Sequence, residues 1–325
     1  MIKLKDIIAP VENDFVEFND NLKNATRSQV NLVNVVIDYA MKNKGKQLRP
    51  MLCLLSAKLI SNPNKLSITA ASLIEMLHVA TLIHDDIVDD SPLRRGWPSV
   101  KSVWKNKISL LLGDYIFSQA LSNMIKLKNF DALEILSNTA NRLSQGELLQ
   151  MERSKTKDID EATYLKMISD KTASLFSASS EIGAITVEAS RSERNALKIF
   201  GEKLGIAFQI KDDLFDFLGS ENETGKDSGG DVKKNMITLP LIFCLENATR
   251  SEKKKLKTLV GSKKKSNSNL REINDLISEL GGFDYSKNKL QEFSDKAVAA
   301  IDGYDDSETK NSLIKLVEFN VSRLK

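Results

Sequence analysis

Three observations predict an all-α chain. Apolar residues return every three or four positions through most segments from about residue 30 to 245, no stretch shows sustained strand-like alternation, and only six prolines occur. Roughly ten or more helices fit that pattern, and no break in composition is sharp enough to divide residues 1–325 into more than one domain.

The prolines punctuate the chain: Pro50, Pro63, Pro92 and Pro240 fall at or near apparent helix ends. GKQLRP brings Lys46 and Arg49 close to one helix start. Two strongly apolar helical segments follow, ASLIEMLHVATLIHDDIVDD and FGEKLGIAFQIKDDLFDFLG, and each ends in acid. After the second, Gly219 to Asn235 contains four of the fifteen glycines and is expected to form a loop able to close on phosphates through Lys226. Ser251 to Asn269 is lysine-rich and reads as a solvated helix end and loop.

Composition narrows the classes. Hydrophobic residues make up 41% of the chain, enough for a sizeable core, and the net charge of +3 makes no broad electrostatic case for nucleic acid. Cys53 and Cys244 each lie in an apolar stretch and are expected to be buried, reduced thiols. The first residues, MIKLKDIIAPVENDF, lack the features of a secretory signal, and no uninterrupted apolar run reaches the ~18 residues that cross a bilayer. A cytoplasmic protein with at most peripheral membrane contact is expected.

The two acidic ends share one pattern, Asp-Asp-x-x-Asp: Asp85, Asp86, Asp89 and Asp212, Asp213, Asp216. On a helix, positions i and i+4 have Cβ atoms ~5 to 6 Å apart, so Asp85 with Asp89, and Asp212 with Asp216, form two-pronged carboxylates. Aspartate is a poor helix former and like charges at this spacing repel, so the pattern costs stability unless a cation binds it. Mg2+ suits such a prong, because it takes one or two carboxylates and completes its shell with water and substrate phosphates. Two prongs facing each other would hold a metal-bound polyphosphate. Lys46, Arg49, Arg94 and Arg95 supply the charge-assisted donors that a polyphosphate needs.

These motifs, together with LLLGDYIF, SQGELLQ, DKTASLF, FQIKDDLFD, GKDSGGD and TLPLI, agree in order and spacing with one family. The chain resembles the trans-type isoprenyl diphosphate synthases of the polyprenyl synthetase family, above all the long-chain bacterial octaprenyl enzymes. The resemblance implies a single-domain isoprenoid synthase helical bundle around a central cavity, working as a homodimer. It implies that isopentenyl diphosphate lengthens an allylic diphosphate, such as farnesyl diphosphate, by one five-carbon unit per cycle. Mg2+, three ions per site with substrate bound, would be held by Asp85, Asp89 and Asp212, with Asp86, Asp213 and Asp216 in support. Arg94 matches the arginine on the allylic diphosphate, and Lys46, Arg49, His78 and Arg95 match the isopentenyl diphosphate site. Lys171, Thr172 and Gln209 match residues beside the allylic group, and Lys226 matches a loop lysine on the allylic diphosphate. The final proton would leave to released diphosphate, so His84 is expected to be structural. One position departs from the family: a lysine common before the TLP tripeptide is Met236 here, with Lys233 or Lys234 as possible substitutes.

Product length is read from the helix leading to Asp85. One helical turn is ~5.4 Å, roughly one isoprene unit, so a product growing back along the face of Thr81, Ala80, Leu77 and Ile74 stops where a bulky side chain blocks it. Short-chain relatives often carry aromatic plugs at the positions of Thr81 and Ala80. Their absence predicts a long product, centred on octaprenyl, for quinone side chains, with a floor from a helix holding Tyr115, Phe117 and Leu121. A short-chain farnesyl or geranylgeranyl synthase and a non-catalytic subunit of a prenyl synthase are the alternatives. A class I terpene cyclase fits less well, since the second Asp-Asp-x-x-Asp and the GKxxR motif are both present, and a di-iron bundle, which needs a Glu-x-x-His motif on each of two helices, fits less well still.

Overall fold

A computed structural model describes residues 2–42, 45–156, 158–218, 232, 234, 236–262 and 266–321. In chain order the helices are α1 (Leu4–Ile8), α2 (Glu12–Ala25), α3 (Asn31–Lys42), α4 (Leu48–Ile60), α5 (Lys65–Val88), α6 (Val100–Met124), α7 (Phe130–Thr156) and α8 (Glu161–Ile168). They continue with α9 (Ser174–Ile185), α10 (Arg191–Leu218), α11 (Leu239–Asn247), α12 (Arg250–Gly261), α13 (Asn267–Glu279), α14 (Gly282–Ala299) and α15 (Glu308–Val321). Among the described residues the only strands are two of two residues each, Leu93–Arg94 and Trp97–Pro98, so the all-α expectation holds.

Two compact units make up the chain: Met1–Ala140 with Leu175–Gly201 and Ala300–Leu316, and Asn141–Ser174 with Glu202–Ala299 and Val317–Lys325. In the first, α5 packs against α2, α4 and α6. A helix covered on several sides is apolar all round, and Ile68, Leu73, Ile74, Met76, Leu77 and Ile83 are all buried. Contrary to the sequence expectation, α5 is long and apolar enough to cross a bilayer, with a mean hydropathy of 1.7 over its best window. That window is 67% buried inside the protein, as befits a core helix.

The start of α5 is fixed by Asn64, whose side chain accepts the Leu66 and Ser67 backbone N–H groups while the Ser67 hydroxyl accepts the Asn64 N–H. The same cap holds the end of α9: Asn64 Nδ2 donates to the Thr186 carbonyl at 2.8 Å, and the Ser67 and Thr186 hydroxyls are 2.7 Å apart. Farther back on α9, Gly183 lets the helix lie on α4, since a Cβ there would stand 2.1 Å from the Cys53 carbonyl oxygen.

The second unit buries Tyr164 of α8, Ile210, Leu214 and Phe217 of α10, and Leu241 and Ile277 of α11 and α13 in one core. Pro240 lies in the first turn of α11, where a missing N–H leaves no helical bond unmade. Both cysteines are buried free thiols, as expected, and burial pushes the Cys244 thiol up to about 11.

Gly183→Ala is expected to destabilise the fold by about 2 to 3 kcal/mol, because a backbone oxygen cannot retreat from the new methyl. Gly303→Ala, which meets open space, serves as the control in a denaturant titration.

Candidate active site

Both acidic clusters close a helix. Asp85 and Asp86 lie in the last turn of α5 with Asp89 as its C-cap, and Asp212, Asp213 and Asp216 occupy the last two turns of α10. Neither helix carries a basic residue in its last turn. The carboxylates therefore stand where each helix already presents roughly half a negative charge, which disfavours them unless a cation is near.

Within each motif the middle aspartate is distinct. Asp86 is 2% exposed and is gripped by Arg94, whose Nε donates to Oδ1 at 2.8 Å and Oδ2 at 2.9 Å while Nη2 reaches Oδ1 at 2.8 Å. Burial pushes the Asp86 carboxyl up from its ordinary range, and Arg94 opposes the shift. Asp213 is 4% exposed; its Oδ2 accepts the Tyr164 hydroxyl at 2.7 Å and its Oδ1 accepts Gln209 Nε2 at 2.8 Å. Asp85 and Asp216 are half-buried, and Asp89 and Asp212 are exposed. Among the described residues no group of three His, Cys, Asp or Glu side chains could by itself hold a metal ion.

In the first unit Arg94 is delivered by a hairpin in which Leu93 pairs with Pro98 and Arg94 with Trp97. Its two-residue loop, Arg95 and Gly96, has φ of 51° and 80°, both positive as a type I′ turn requires. Arg95 rests on Gly45, itself at φ 62°: a Cβ there would come within 2.3 Å of the guanidinium. Lys46 is half-buried in the turn before α4. Arg49 on α4 donates from Nη1 to His78 Nε2 at 3.1 Å and stacks its guanidinium 4.6 Å from the Phe176 ring centroid. Since an arginine only donates, His78 Nε2 must accept and its ring proton belongs on Nδ1. Burial, reinforced by Arg49, Arg95 and Arg94, holds the His78 pKa well below its ordinary value, so the ring stays neutral. His78, Asp86, Arg94 and Arg95 line one cavity with the buried acid Glu75; burial and Arg94 push the Arg95 guanidinium below its ordinary value, and Glu75 opposes that shift. Sequence reasoning missed Glu75; a charge three residues before His78 inside an apolar helix was the available signal.

In the second unit Lys171 and Thr172 ride on a π-helical turn, Ser169–Ala173. Lys171 Nζ lies 2.5 Å from Glu147 Oε2 and donates to Gln150 Oε1 at 3.0 Å. Thr172 donates to Gln209 Oε1 at 2.7 Å, so Thr172, Gln209, Asp213 and Tyr164 form one chain of hydrogen bonds. Gln150 also donates to Met236 Sδ at 3.2 Å, which places the departing Met236 one residue removed from Lys171. Lys234 is exposed, and Lys226 and Lys233 lie outside the described residues.

The residues expected to set product length are Ala80 and Leu77, both buried, and Thr81, which is half-buried and donates to the His78 carbonyl at 2.8 Å. Of the residues expected at the floor, Tyr115 and Phe117 are half-buried, the Tyr115 hydroxyl donating to the Arg27 carbonyl at 2.8 Å, and Leu121 is exposed. His84 packs over Gly113 and lies 3.3 Å from Asp114.

The family model for polyprenyl synthetase matches residues 30–277. Octaprenyl diphosphate synthase of Escherichia coli (strain K12) is 31% identical over 322 residues, 99% of each chain, and heptaprenyl diphosphate synthase component 2 of Geobacillus stearothermophilus is 30% identical over 312 residues, 96% of each. A polyprenyl synthase from Caulobacter crescentus, solved in complex with calcium and isoprenyl diphosphate, superposes with a TM-score of 0.93 at 31% identity, covering 99% of this chain and 98% of that one. With the acidic motifs, the GKQLRP turn and the DKTASLF turn all in place, the chain belongs to the polyprenyl synthetase family and is a prenyltransferase.

Proposed function

We propose that the protein elongates an allylic diphosphate with isopentenyl diphosphate to a long-chain all-trans polyprenyl diphosphate, with octaprenyl as the product and farnesyl diphosphate as the starter. The observation that carries the site assignment is the division within each acidic motif. Asp86 and Asp213 are buried, whereas Asp89 and Asp212 are exposed and Asp85 and Asp216 half-buried, so an incoming cation meets the outer pairs first, Asp85 with Asp89 and Asp212 with Asp216. Two carboxylates of this kind, at a helix end with negative partial charge, fit a hard divalent cation that takes its remaining oxygens from water and diphosphate. Mg2+, three ions per site, would stabilise the diphosphate as it leaves.

The chain's own residues would divide the work. Arg94, already oriented by Asp86, binds the allylic diphosphate; Lys46, Arg49, Arg95 and neutral His78 bind isopentenyl diphosphate. Lys171, Thr172, Gln209 and Lys226 hold the allylic substrate while its carbon–oxygen bond ionises. The double bond of isopentenyl diphosphate then attacks the cation, and the released diphosphate removes the proton.

Support for a long product comes from Ala80, buried yet only a methyl group wide, and from the octaprenyl and heptaprenyl relatives. Quinone side chains are the proposed destination, and the cytoplasm the proposed location. Exposed Val103, Leu110, Leu111, Leu121 and Ile125 on and just after α6, with Phe130 at 86% exposure, favour a homodimer. One relative is named component 2 of heptaprenyl diphosphate synthase, which favours a second reading in which a partner chain is needed.

Incubating the purified protein with Mg2+, labelled isopentenyl diphosphate and farnesyl diphosphate decides between them. Products near eight isoprene units from the protein alone are expected; no elongation would support the two-chain reading. Ala80→Phe is expected to shorten the product by several units on reversed-phase chromatography, and an unchanged product would remove the channel from this face of α5. For His78, an unfolded chain takes up a proton below about pH 6.5 that the folded site refuses, so this contribution to stability is present above that pH and lost as pH falls. His78→Gln should flatten the acid side of the stability profile by up to roughly 1.4 kcal/mol per pH unit.

A further inference from the structure

The turn that carries Lys171 and Thr172 is held by a group to which no role has been assigned. In Ser169–Ala173 the Ser174 N–H bonds to the Ser169 carbonyl five residues back, the π-helical ring. Such a ring is rare inside helices and loosens the carbonyls from their α-helical partners, so something must satisfy them. The Ser174 hydroxyl takes the Asp170 carbonyl at 2.6 Å, and Arg142 Nη2 donates to the Ser169 carbonyl at 3.2 Å.

Arg142 does more than cap. Its Nη2 also meets the Ser169 hydroxyl at 2.8 Å, its Nε donates to Asp170 Oδ1 at 2.8 Å, and Nη1 and Nη2 grip Glu202 at 3.3 and 2.8 Å. Ser169 bonds Glu202 in turn, and Lys166 takes the other oxygen of Asp170 at 2.7 Å. Three donations from one planar fork thus end on two consecutive residues of the turn, a pattern that a lysine's point charge cannot copy. Across the turn, Gly146 leaves room for the backbone: a Cβ there would stand 2.5 Å from Lys171 N. Arg142 and Gly146 lie one helical turn apart on α7, together with Glu147 and Gln150, the partners of Lys171.

We infer that Arg142 is a positioning residue for the prenyl transfer: with Asp170, Glu202 and Gly146 it fixes the π turn that aims Lys171 and Thr172. The catalytic part of this inference rests on the function proposed above.

The test compares the full-length wild type with Arg142→Met, Arg142→Lys, Lys171→Ala and the Arg142→Met/Lys171→Ala pair, using Mg2+, farnesyl diphosphate and isopentenyl diphosphate. Arg142→Met is expected to lower kcat roughly 10- to 100-fold, the scale of a misaimed group, with KM for isopentenyl diphosphate within about twofold. Arg142→Lys should not restore it, and the double variant should lose well short of the product of the two single losses, because the arginine acts in large part through the lysine. Arg142→Met at wild-type kcat, or losses that multiply in the double variant, would overturn the inference. Should Arg142→Met fail to unfold cooperatively, Gly146→Ala takes its place with the same expectations. Hydrogen exchange at the Ser174 amide keeps the two claims apart. Faster exchange in the arginine variants supports the clamp even if the wild type elongates nothing, an outcome that would sink the functional reading alone; unchanged exchange sinks the clamp.

Discussion

Two helices in this protein end against their own electrostatics. Aspartates at the last turns of α5 and α10 add negative charge to the end of a helix that already bears it, and no lysine or arginine in those turns relieves it. The protein's answer is partial. It buries the middle aspartate of each motif and bonds it, to Arg94 in one case and to Tyr164 and Gln209 in the other, and it leaves the outer carboxylates at the boundary with solvent. Much of the remaining site follows from that compromise. The Arg95–Gly96 turn exists to bring Arg94 back to Asp86, and the chain from Thr172 through Gln209 ends on Asp213.

Close approach is the second recurring device. Where a functional group rests against a neighbouring element of its own unit, a glycine makes the room: Gly45 under Arg95 and Gly146 under the Lys171 backbone. Side chains held this way lose little further freedom when a substrate arrives, because packing has already restricted them. Neutral His78 adds to the same economy, accepting from Arg49 without adding a charge to a cavity that already contains two arginines.

Local rules made part of this legible from sequence. Helical periodicity marked α5 and α10, and the i, i+4 spacing placed Asp85 with Asp89 and Asp212 with Asp216 on shared faces, since both depend only on residues a turn apart. The Arg94–Arg95 hairpin was not legible: its strands are two residues long and Arg-Gly is a weak turn signal. Nor was the π turn, whose stability comes from Arg142 and Glu202, distant in sequence. Glu75 was overlooked because an acid inside an apolar run reads as an interruption, when its partner, Arg95, arrives from a hairpin beyond the helix. The apolarity of α5 was underestimated for the converse reason: scattered His, Glu, Ser and Thr broke the run by eye while the average stayed high.

That average has a consequence for biogenesis. By length and composition α5 is a segment long and apolar enough to cross a bilayer, and in the fold it is covered by α2, α4 and α6. Two of those covers precede it in the chain, but α6 ends only at Met124, so a growing polypeptide passes through a stage in which α5 is complete and one of its walls is not. During that interval the segment is a ready target for lipid, for chaperones and for other nascent chains. The aspartates at its end would be costly to carry into the hydrocarbon of a bilayer.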